Sequence, residues 1–393
     1  MIRVLYTGAF RFPDGDAAAW RVGAVSDLFE RAGCSVAFAG WEGNRPEGAH
    51  YLYKGRDCHS QAEFREQRRG PFGRLSGFLL RGSKTLGWLS HNRRFDVVVV
   101  YNPPALFALG LLLLARRWNI RVVLDSTEWY EGEHLPGGAH GPAALENWVR
   151  MRLVYPLFRH VICISRFLEQ HFDGRNVVNI PPLGGVVMIP TQRPDISAGV
   201  FFVYAGDAGK KDRLMPFIQA LPTLQIAFQR PVLLRIAGLE RETLYKAMRA
   251  AGMAVDNYSP YVECIGRVSR DDVMRLYGMS HFSVLFREDK RYARAGFPTK
   301  AVESWSCGCP IIANRVGDLG TIASHMVDAI LMNEDEIATR LPEALLTIID
   351  GDRYPQMSAK SQEKVNRLFT PDANWQPFAN FARRLGLDPG HST

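Results

Sequence analysis

Residues 296–310 read Gly-Phe-Pro-Thr-Lys-Ala-Val-Glu-Ser-Trp-Ser-Cys-Gly-Cys-Pro, and Ile-Ile-Ala follows at positions 311–313. The pattern predicts a loop, a short helix and a buried strand, which together form one repeat of a parallel α/β fold. Pro298 suits the first helical turn, where a missing N–H costs nothing, and Gly308 and Pro310 are suited to end the helix. We therefore expect the loop before this helix to lie at the edge of a parallel sheet.

Thr299 and Glu303 are four residues apart, so they share one face of the predicted helix. The exposed N–H groups at the helix start suit a phosphate, and Lys300 and the Thr299 hydroxyl add to that preference. A carboxylate one turn deeper can accept hydrogen bonds from both hydroxyls of a ribose. The combination predicts a nucleoside-diphosphate pocket, and the alternative is an ordinary helix with a glutamate on its exposed face.

The length and the composition favour two globular α/β domains. A chain of 393 residues suits two domains of about 150–200 residues each, and 47% apolar residues exclude general disorder. The formal charge of +8 attracts phosphate groups, whether in nucleic acid, anionic lipid or nucleotide. Because no nucleic-acid-reading module accompanies the charge, nucleic acid is not an expected partner.

The segment from Arg56 to Arg94 holds nine Lys or Arg residues against three acids, mixed with large apolar residues such as Phe78, Leu79 and Trp88. Such a mixture is typical of a helix that lies on an anionic membrane surface. The alternative is a solvated, basic helical hairpin on the surface of the domain. Peripheral contact with an anionic membrane is therefore an expectation of the sequence.

Six scattered cysteines form no metal knuckles and no disulfide framework, which is typical of a reduced, cytosolic protein. The longest apolar run, from Ala105 to Ala115, is well short of the roughly 20 residues that a spanning helix needs. The first residues already read as a strand, so no cleavable signal is expected. We expect a cytoplasmic protein, peripheral on the inner face of the cytoplasmic membrane.

Apolar strands alternate with helices in both halves of the chain, as in parallel sheets covered on both faces. A Pro- and Gly-rich stretch over 181–198 predicts a linker between the halves. The expected domains are an N-terminal, acceptor-binding Rossmann-like domain (1–185), a C-terminal, nucleotide-sugar-binding domain (186–370) and a final helix (371–393) that packs back towards the first. A helix is predicted over Lys211–Gln229, and after Asp335 the pattern is helical to about Leu387.

The loop after strand Val200–Ala205 reads Gly-Asp-Ala-Gly-Lys-Lys-Asp over 206–212. Glycines let a backbone approach a phosphate closely, and Lys210 or Lys211 supplies the counter-charge at a helix start. The spacing is not that of a P-loop, which needs a Gly-Lys-Ser/Thr ending. The loop is a second anion-binding candidate on the same predicted sheet as Lys300.

Three segments in this order, 206–212, 266–277 and 296–318, resemble the donor-binding domain of family 4 retaining glycosyltransferases. The resemblance covers the whole second half and, in outline, the first. It implies the GT-B fold, in which two Rossmann-like domains turn their parallel sheets towards each other across a cleft. It also implies a nucleotide-diphosphate sugar as donor substrate, with no metal and no other cofactor.

The resemblance assigns roles residue by residue. Lys211 and Lys300 are expected to be catalytic by stabilising the leaving diphosphate, and Glu303 is expected to bind the ribose hydroxyls. The implied donor-binding set is Gly206, Lys210, Lys211, Arg267, Val268, Phe297, Pro298, Thr299, Lys300 and Glu303. The family usually carries two glutamates separated by seven residues; Glu303 matches the second, and Ala295 stands at the first.

The first domain is expected to hold the acceptor in the loops that follow its strands. Asp14, Gly15 and Asp16 lie in the loop after the first strand and are predicted to contact the acceptor. The Asp14-x-Asp16 spacing is a coincidence in a turn-forming loop, so no metal is expected there.

A polar and aromatic cluster follows the strand Arg121–Leu124. Asp125 and Glu128 are catalytic candidates that orient an acceptor hydroxyl or take its proton, and Trp129 or Tyr130 is predicted to stack on a sugar ring. The alternative for this cluster is a helix N-cap and its neighbours.

The predicted function is transfer of a sugar from a nucleotide-diphosphate sugar to a hydroxyl of a saccharide, free or lipid-linked, with retention of configuration. Envelope or exopolysaccharide synthesis is the expected setting. Two alternatives stay open at this point. One is a nucleotide-sugar epimerase of the same fold, which needs no acceptor, and the other is a non-catalytic nucleotide-sugar-binding partner, suggested by Ala295.

Overall fold

The computed structural model describes residues 1–13, 16–42, 45–64, 77–187, 193–206 and 211–388. The chain divides into two compact units. The first comprises Met1–Leu183, Arg294–Phe297 and Pro371–Thr393, and the second comprises Gly184–Ala293 and Pro298–Thr370. The break at Leu183 falls inside the Pro- and Gly-rich stretch that the sequence marks as a linker.

The first unit is built on an eight-stranded sheet in the order β3-β4-β2-β1-β5-β6-β7-β8. Its strands are β1 (Ile2–Gly8), β2 (Cys34–Gly40), β3 (His50–Tyr53), β4 (Arg56–Ser60), β5 (Val97–Tyr101), β6 (Arg121–Ser126), β7 (His160–Cys163) and β8 (Asn176–Asn179). The helices described before β8 are α1 (Ala17–Arg31), α2 (Ser83–His91), α3 (Ala105–Trp118), α4 (Pro142–Val149) and α5 (Arg166–His171). All strand pairs are parallel except β3 with β4, which is the antiparallel edge.

The second unit is built on a six-stranded, wholly parallel sheet in the order β11-β10-β9-β12-β13-β14. Its strands are β9 (Val200–Ala205), β10 (Val232–Ala237), β11 (Val262–Gly266), β12 (Phe282–Leu285), β13 (Ile311–Ala313) and β14 (Ala329–Leu331). The helices described in the second half of the chain are α6 (Met215–Phe228), α7 (Arg241–Ala250), α8 (Arg270–Gly278), α9 (Arg291–Ala295), α10 (Thr299–Ser306), α11 (Leu319–Ile322), α12 (Ile337–Asp350), α13 (Tyr354–Leu368) and α14 (Trp375–Arg384).

The central strands form because their sequences are apolar on both faces, which suits only a sheet covered on both sides. In β5 the run Val-Val-Val-Val is fully buried between β1 and β6. Crossover helices such as α1, whose first turn is capped by Asp16, connect the parallel neighbours. The α/β class with parallel sheets in both halves is confirmed.

The last helix, α14, packs on the first unit. Trp375, Phe378 and Phe381 are buried in its core, and the rings of Phe378 and Phe29 lie 4.9 Å apart. Asn176 Nδ2 at β8 donates to the carbonyl of Phe381 at 3.1 Å, which fixes the helix against the edge strand. An amphipathic helix at the chain end is thus held by burying its apolar face.

Three predicted elements differ from the observed ones. The helix predicted from Lys211 begins at Met215, because Asp212 instead pairs with Arg287 in an isolated bridge. The helical stretch predicted from Asp335 to Leu387 is three helices, the first two separated by a turn in which Asp352 has φ +48°. The basic segment begins not with a helix but with the strand Arg56–Ser60, where Arg56 pairs with acids of α1.

Candidate functional site

Three glycines lie at the carboxyl ends of adjacent strands of the second sheet. Gly206, Gly238 and Gly266 follow or end β9, β10 and β11 with φ of +143°, +96° and +72°. Gly206 N donates to Ala237 O at 2.8 Å, and Gly238 N donates to Gly266 O at 2.7 Å. A Cβ on Gly238 would come within 2.9 Å of Gly206 O. The strand ends therefore present bare backbone, which a phosphate or a ring can approach closely.

A cluster of charges lies beside this backbone. Asp212 Oδ2 pairs with Lys300 Nζ and accepts from the Tyr204 hydroxyl at 2.7 Å, and its Oδ1 accepts from Arg287 Nε at 2.7 Å. The Lys300 ammonium also lies 3.0 Å from the Tyr204 oxygen and above its ring. One carboxylate faces two cations, so the cluster carries a surplus of one positive charge.

The exposed part of this cluster is cationic. The side chain of Asp212 is 4% exposed, whereas those of Arg287 and Lys300 are 17% and 22% exposed. Burial alone would raise the pKa of Asp212, but Lys300, Arg287 and the Tyr204 hydroxyl bring it down to about 2. Burial lowers the pKa of Lys300, and the attraction of Asp212 opposes that change. The buried carboxylate thus holds two cations at a surface where a second anion can reach them.

The loops that carry these side chains are fixed to each other. Asn314 Nδ2 donates to Arg287 O at 2.6 Å, and Arg287 N donates to Asn314 Oδ1 at 3.0 Å, which joins the chain after β12 to the chain after β13. A shallow hollow lies here. It is lined by Leu285, Arg287, Ala293, Pro298, Asn314, Val316 and Leu319. The hydrogen-bonded pair gives Arg287 a defined position at the edge of the hollow.

The helix α10 begins at Thr299, next to Lys300 and this hollow. Pro298 is its N-cap and offers no side-chain acceptor, so the first-turn N–H groups keep no side-chain cap. Gly308, with φ +64°, follows the C-cap Cys307 and lets the chain turn into β13. An uncapped helix start beside a surplus cation is a favourable place for a phosphate.

Glu303 lies one turn along α10. Its side chain is 28% exposed, and its Oε1 lies 3.5 Å from Arg270 Nε at the start of α8. The carboxylate is therefore oriented by a neighbouring helix and still reaches solvent. Of the predicted set, Gly206 lies against the Lys300 side chain, and Thr299, Lys300 and Glu303 lie together on α10.

The remaining residues of the predicted donor-binding set do not all lie beside the Lys300 cluster. Lys211 O accepts from the Tyr292 hydroxyl at 2.8 Å, which ties its loop to α9, and Lys210 lies outside the described residues. Arg267 is exposed and Val268 packs against the apolar cluster around Met274. Phe297 is buried and belongs to the first unit. The sequence reasoning missed Tyr204, Asp212 and Arg287, which are adjacent only in the folded sheet.

Asp125 requires a correction. Its side chain is fully buried, accepts from Tyr6 OH at 2.5 Å and forms an ion pair with Arg21 at 2.8 Å. Arg21 is itself held by the carbonyl of Ile180 at 2.8 Å. Burial and the Asp125 charge raise the pKa of Tyr6 well above its usual range. A carboxylate enclosed by two donors has no face left for an acceptor hydroxyl, so Asp125 joins strands and helix α1 instead.

Trp129 also differs from the prediction that it stacks on a sugar. It is buried, and its ring lies 4.6 Å from that of His171 and 6.0 Å from that of Phe167. Asp16 caps α1 through Ala19 N at 2.8 Å. Glu128 is half-buried, and its predicted contact with an acceptor stays a prediction. Asp14 and Gly15 lie outside the described residues.

A buried polar group that sequence reasoning missed follows β2 and β4 in the first unit. Within the described part of the chain, Trp41 Nε1, Glu42 Oε2 and Gln61 Nε2 are buried and have no hydrogen-bond partner. Glu42 Oε1 accepts from the Tyr51 hydroxyl at 2.9 Å, and burial raises the pKa of Glu42. Unpaired buried donors and acceptors are costly, so such a group is suited to take hydroxyls or water. Its residues follow two separate strands, so no local pattern of the sequence marks them.

Two family models together match most of the chain. The model described as Glycosyl transferase 4-like domain matches residues 17–196, and the model described as Glycosyl transferases group 1 matches residues 199–350. The chain is also similar to an uncharacterized glycosyltransferase of Methanocaldococcus jannaschii, with 27% identity over 127 residues. That alignment covers 32% of this chain, and the chain spans only 34% of the length of this relative.

Solved structures share the fold over 98% of this chain. Sucrose-phosphate synthase from Thermosynechococcus elongatus has a TM-score of 0.67 at 16% identity, with 99% of that chain covered. The trehalose 6-phosphate synthase of Burkholderia multivorans has a TM-score of 0.67 at 14% identity, again with 99% covered. The Anabaena protein HepE, solved in complex with UDP, has a TM-score of 0.63 at 15% identity, with 100% covered. The GT-B fold is thereby confirmed.

Proposed function

We propose that this chain, which belongs to the group 1 and 4-like glycosyltransferases, transfers a sugar from a nucleoside-diphosphate donor to a saccharide hydroxyl with retention of configuration. One observation carries the donor assignment. Lys300 and Arg287 surround a single carboxylate and leave a surplus positive charge beside the uncapped start of α10. A diphosphate is the anion that suits such a place.

The donor lies along the glycine-lined strand ends in this proposal. Its diphosphate contacts Lys300, Arg287 and the first-turn amides of α10, and its ribose hydroxyls donate to Glu303. The base lies towards Gly266, whose φ is +72°. A Cβ at this position would come within 2.9 Å of a Glu240 carboxylate oxygen, so the position favours glycine and its backbone is not covered by a side chain. HepE, whose complexes with UDP and UDP-glucose are known, supports a nucleotide sugar for a chain of this fold.

In the transfer, the bond from the anomeric carbon to the diphosphate oxygen breaks and a bond to the acceptor oxygen forms. Negative charge grows on the departing diphosphate, and the proton of the acceptor hydroxyl passes to the diphosphate oxygen that leaves the anomeric carbon. Fixed cations and amides stabilise that growing charge without reorganising, which typically lowers a barrier by several kcal/mol. Ala295 is buried and contributes no carboxylate, so the stabilisation rests on the cations and α10.

The acceptor side is proposed to use the buried polar group of Trp41, Glu42 and Gln61, with Glu128 as a further contact. Within the described residues these three buried polar atoms at strand ends have no partner, so they can pair with acceptor hydroxyls or with water once the group is opened to the acceptor. A saccharide of envelope or exopolysaccharide synthesis, free or lipid-linked, is the proposed acceptor. Peripheral association with the inner face of the cytoplasmic membrane belongs to the same proposal. Among the described residues, no helix is long and apolar enough to cross a bilayer.

The test begins with the donor. UDP-, GDP- and ADP-glucose are added separately, and the midpoint of thermal unfolding is followed; a ligand at a hundred times its Kd stabilises by about 2.7 kcal/mol. The nucleotide that binds is then supplied with a panel of saccharides, and NMR of the product reports the anomeric configuration. An inverted product contradicts retention. An epimerised donor formed without acceptor, or donor binding without any transfer, contradicts the transferase assignment for this chain.

A further inference from the structure

An apolar stripe lies on the outer side of one continuous helical run in the first unit. The run comprises α4, a π-helical turn (Arg150–Val154) and a 3-10 turn (Tyr155–Leu157). Its inner face is buried through Asn147, Met151 and Tyr155. Its outer face exposes four large apolar side chains, at Leu145 (64%), Trp148 (48%), Leu153 (53%) and Leu157 (59%).

A second apolar row lies on the neighbouring helix α3. Leu106 and Leu113 are 50% and 71% exposed there. Ala105 N donates to Glu146 Oε1 at 2.9 Å, so the start of α3 lies directly against α4. Leu79 and Leu80, also exposed, precede Gly82, whose Cα lies against the ring of Phe107 on α3. Because the three segments are neighbours, we call their exposed apolar residues together the α3–α4 face.

The exposed charges of this face all have one sign. In α3 and in residues 142–159 the exposed charged side chains are Arg116, Arg117, Arg152 and Arg159. Glu146 is turned to the start of α3, and Arg150 is buried beside Asn147. Large contiguous apolar patches are rare on soluble proteins and mark interaction sites. A face whose exposed residues are large apolar side chains and arginines suits an anionic, apolar partner.

We propose that the α3–α4 face docks on the surface of an anionic lipid bilayer. The leucines enter the boundary between headgroups and acyl chains, Trp148 lies at the headgroup level, and the four arginines contact lipid phosphates. A second protein chain is a weaker match, because a stable protein interface would need acidic groups to meet the arginines. The proposal rests on the proposed function and extends it, because it states which face of the enzyme contacts the bilayer that carries the acceptor.

The proposal replaces part of the prediction for residues 56–94. Leu89 is buried, Leu86 packs on Gly110 of α3, and the ring of Trp88 lies 5.0 Å from that of His59. These apolar residues pack α2 against the rest of the first unit, so we do not assign them a contact with the membrane. Residues 65–76 lie outside the described residues.

Co-sedimentation with vesicles tests the proposal on the full chain. We expect the protein to bind mixed phosphatidylglycerol and phosphatidylcholine vesicles, and to bind pure phosphatidylcholine much more weakly. The double variant L145S/W148S should bind the mixed vesicles about tenfold more weakly, because two anchors are lost. Replacing Arg152 and Arg159 by glutamine should cost roughly fivefold for each residue at low salt.

The matched control is Ile226→Ser, since Ile226 is 77% exposed on α6 of the second unit. Unchanged vesicle binding in this control and a lower affinity in L145S/W148S support the proposal. Equal binding by L145S/W148S and the wild type overturns it, as does a wild-type dimer in analytical ultracentrifugation that the double variant abolishes. The thermal midpoint of each variant verifies folding. Transfer to a soluble saccharide reports on the proposed function separately, because it needs no vesicle.

Discussion

The two sheets each hold a buried aspartate at their carboxyl edge, and the surroundings of the two carboxylates differ. In the first unit, Asp125 meets one cation, Arg21, and the pair is almost completely buried. In the second unit, Asp212 meets two cations, Lys300 and Arg287, whose side chains remain partly exposed. The first cluster is neutral and closed, whereas the second is positive and open. A buried aspartate near the carboxyl edge of a sheet is thus neutralised and closed in one unit, whereas in the other it holds the cations of the proposed diphosphate site.

The largest effect is expected from breaking the closed cluster. Replacing Asp125 by Ala leaves the Arg21 guanidinium buried without a counter-charge, which typically costs about 3–5 kcal/mol. Urea unfolding followed by circular dichroism should show this loss. Asp57→Ala is the control, because Asp57 and its partner His50 are both about half exposed and the pair should contribute less than about 1 kcal/mol. Similar losses in the two variants would show that the Asp125 cluster is not a cohesive element.

The open cluster should respond in activity. Lys300→Ala removes a cation from the proposed diphosphate site, and we expect the transfer rate to fall roughly a hundredfold. Folding should persist, because Arg287 remains to neutralise Asp212. Steady-state kinetics with saturating donor measure the effect. Lys360→Ala, at an exposed pair with Glu363, is the control and should leave the rate unchanged. Transfer that survives Lys300→Ala would exclude this phosphate assignment.

Acid should reveal the open cluster in the stability of the protein. The pKa of Asp212 is lowered from 3.8 to about 2, so its ionised form stabilises the folded state. That contribution is complete above about pH 4 and is lost as the pH falls through 2, for a total of roughly 2 kcal/mol. The free energy of unfolding of Asp212→Asn should therefore fall less steeply than that of the wild type over this range. If the free energies of unfolding of the variant and the wild type fall in parallel with pH, Asp212 is not the group responsible for the loss of stability in acid.

The smallest effect is expected at the proposed ribose contact. Glu303→Gln keeps the shape of the side chain but loses its charge and one acceptor, and we expect donor affinity to fall about tenfold. Isothermal titration with the nucleoside diphosphate that binds, and with its 2′,3′-dideoxy analogue, separates the cause. The variant and the wild type should bind the dideoxy analogue alike. An equal loss for both nucleotides would mean that Glu303 acts through Arg270 and not through the ribose.

Much of the candidate site could be predicted because it lies in one continuous stretch. Local backbone preferences predict the helix over 299–306, which follows Pro298 and is ended by the turn at Gly308. The helical period also places Thr299 and Glu303 on a common face. Asp212 and Arg287 could not be predicted in this way. They are 75 residues apart in the chain and meet only because the loops after β9 and β12 leave adjacent strands.

The first unit shows the opposite error. Asp125 and Trp129 have the composition of an acceptor site in the sequence, but the residues that enclose them, Arg21 and His171, come from helices elsewhere in the chain. The polar group of Trp41, Glu42 and Gln61 gave no sequence pattern, because two separate strands bring it together. Local sequence reports which side chains follow a strand, but not whether other elements cover them.

The sequence by itself determined the α/β class, the two-part plan, and the helix start that suits a phosphate. These depend on apolar periodicity, on proline and glycine, and on neighbours within one turn of helix, all of which are local. Only the tertiary structure decided which aspartate is closed, which cations stay open and which leucines remain uncovered. Burial and charge balance depend on contacts between segments that are distant in the chain, and the local sequence pattern does not show which segments will be in contact.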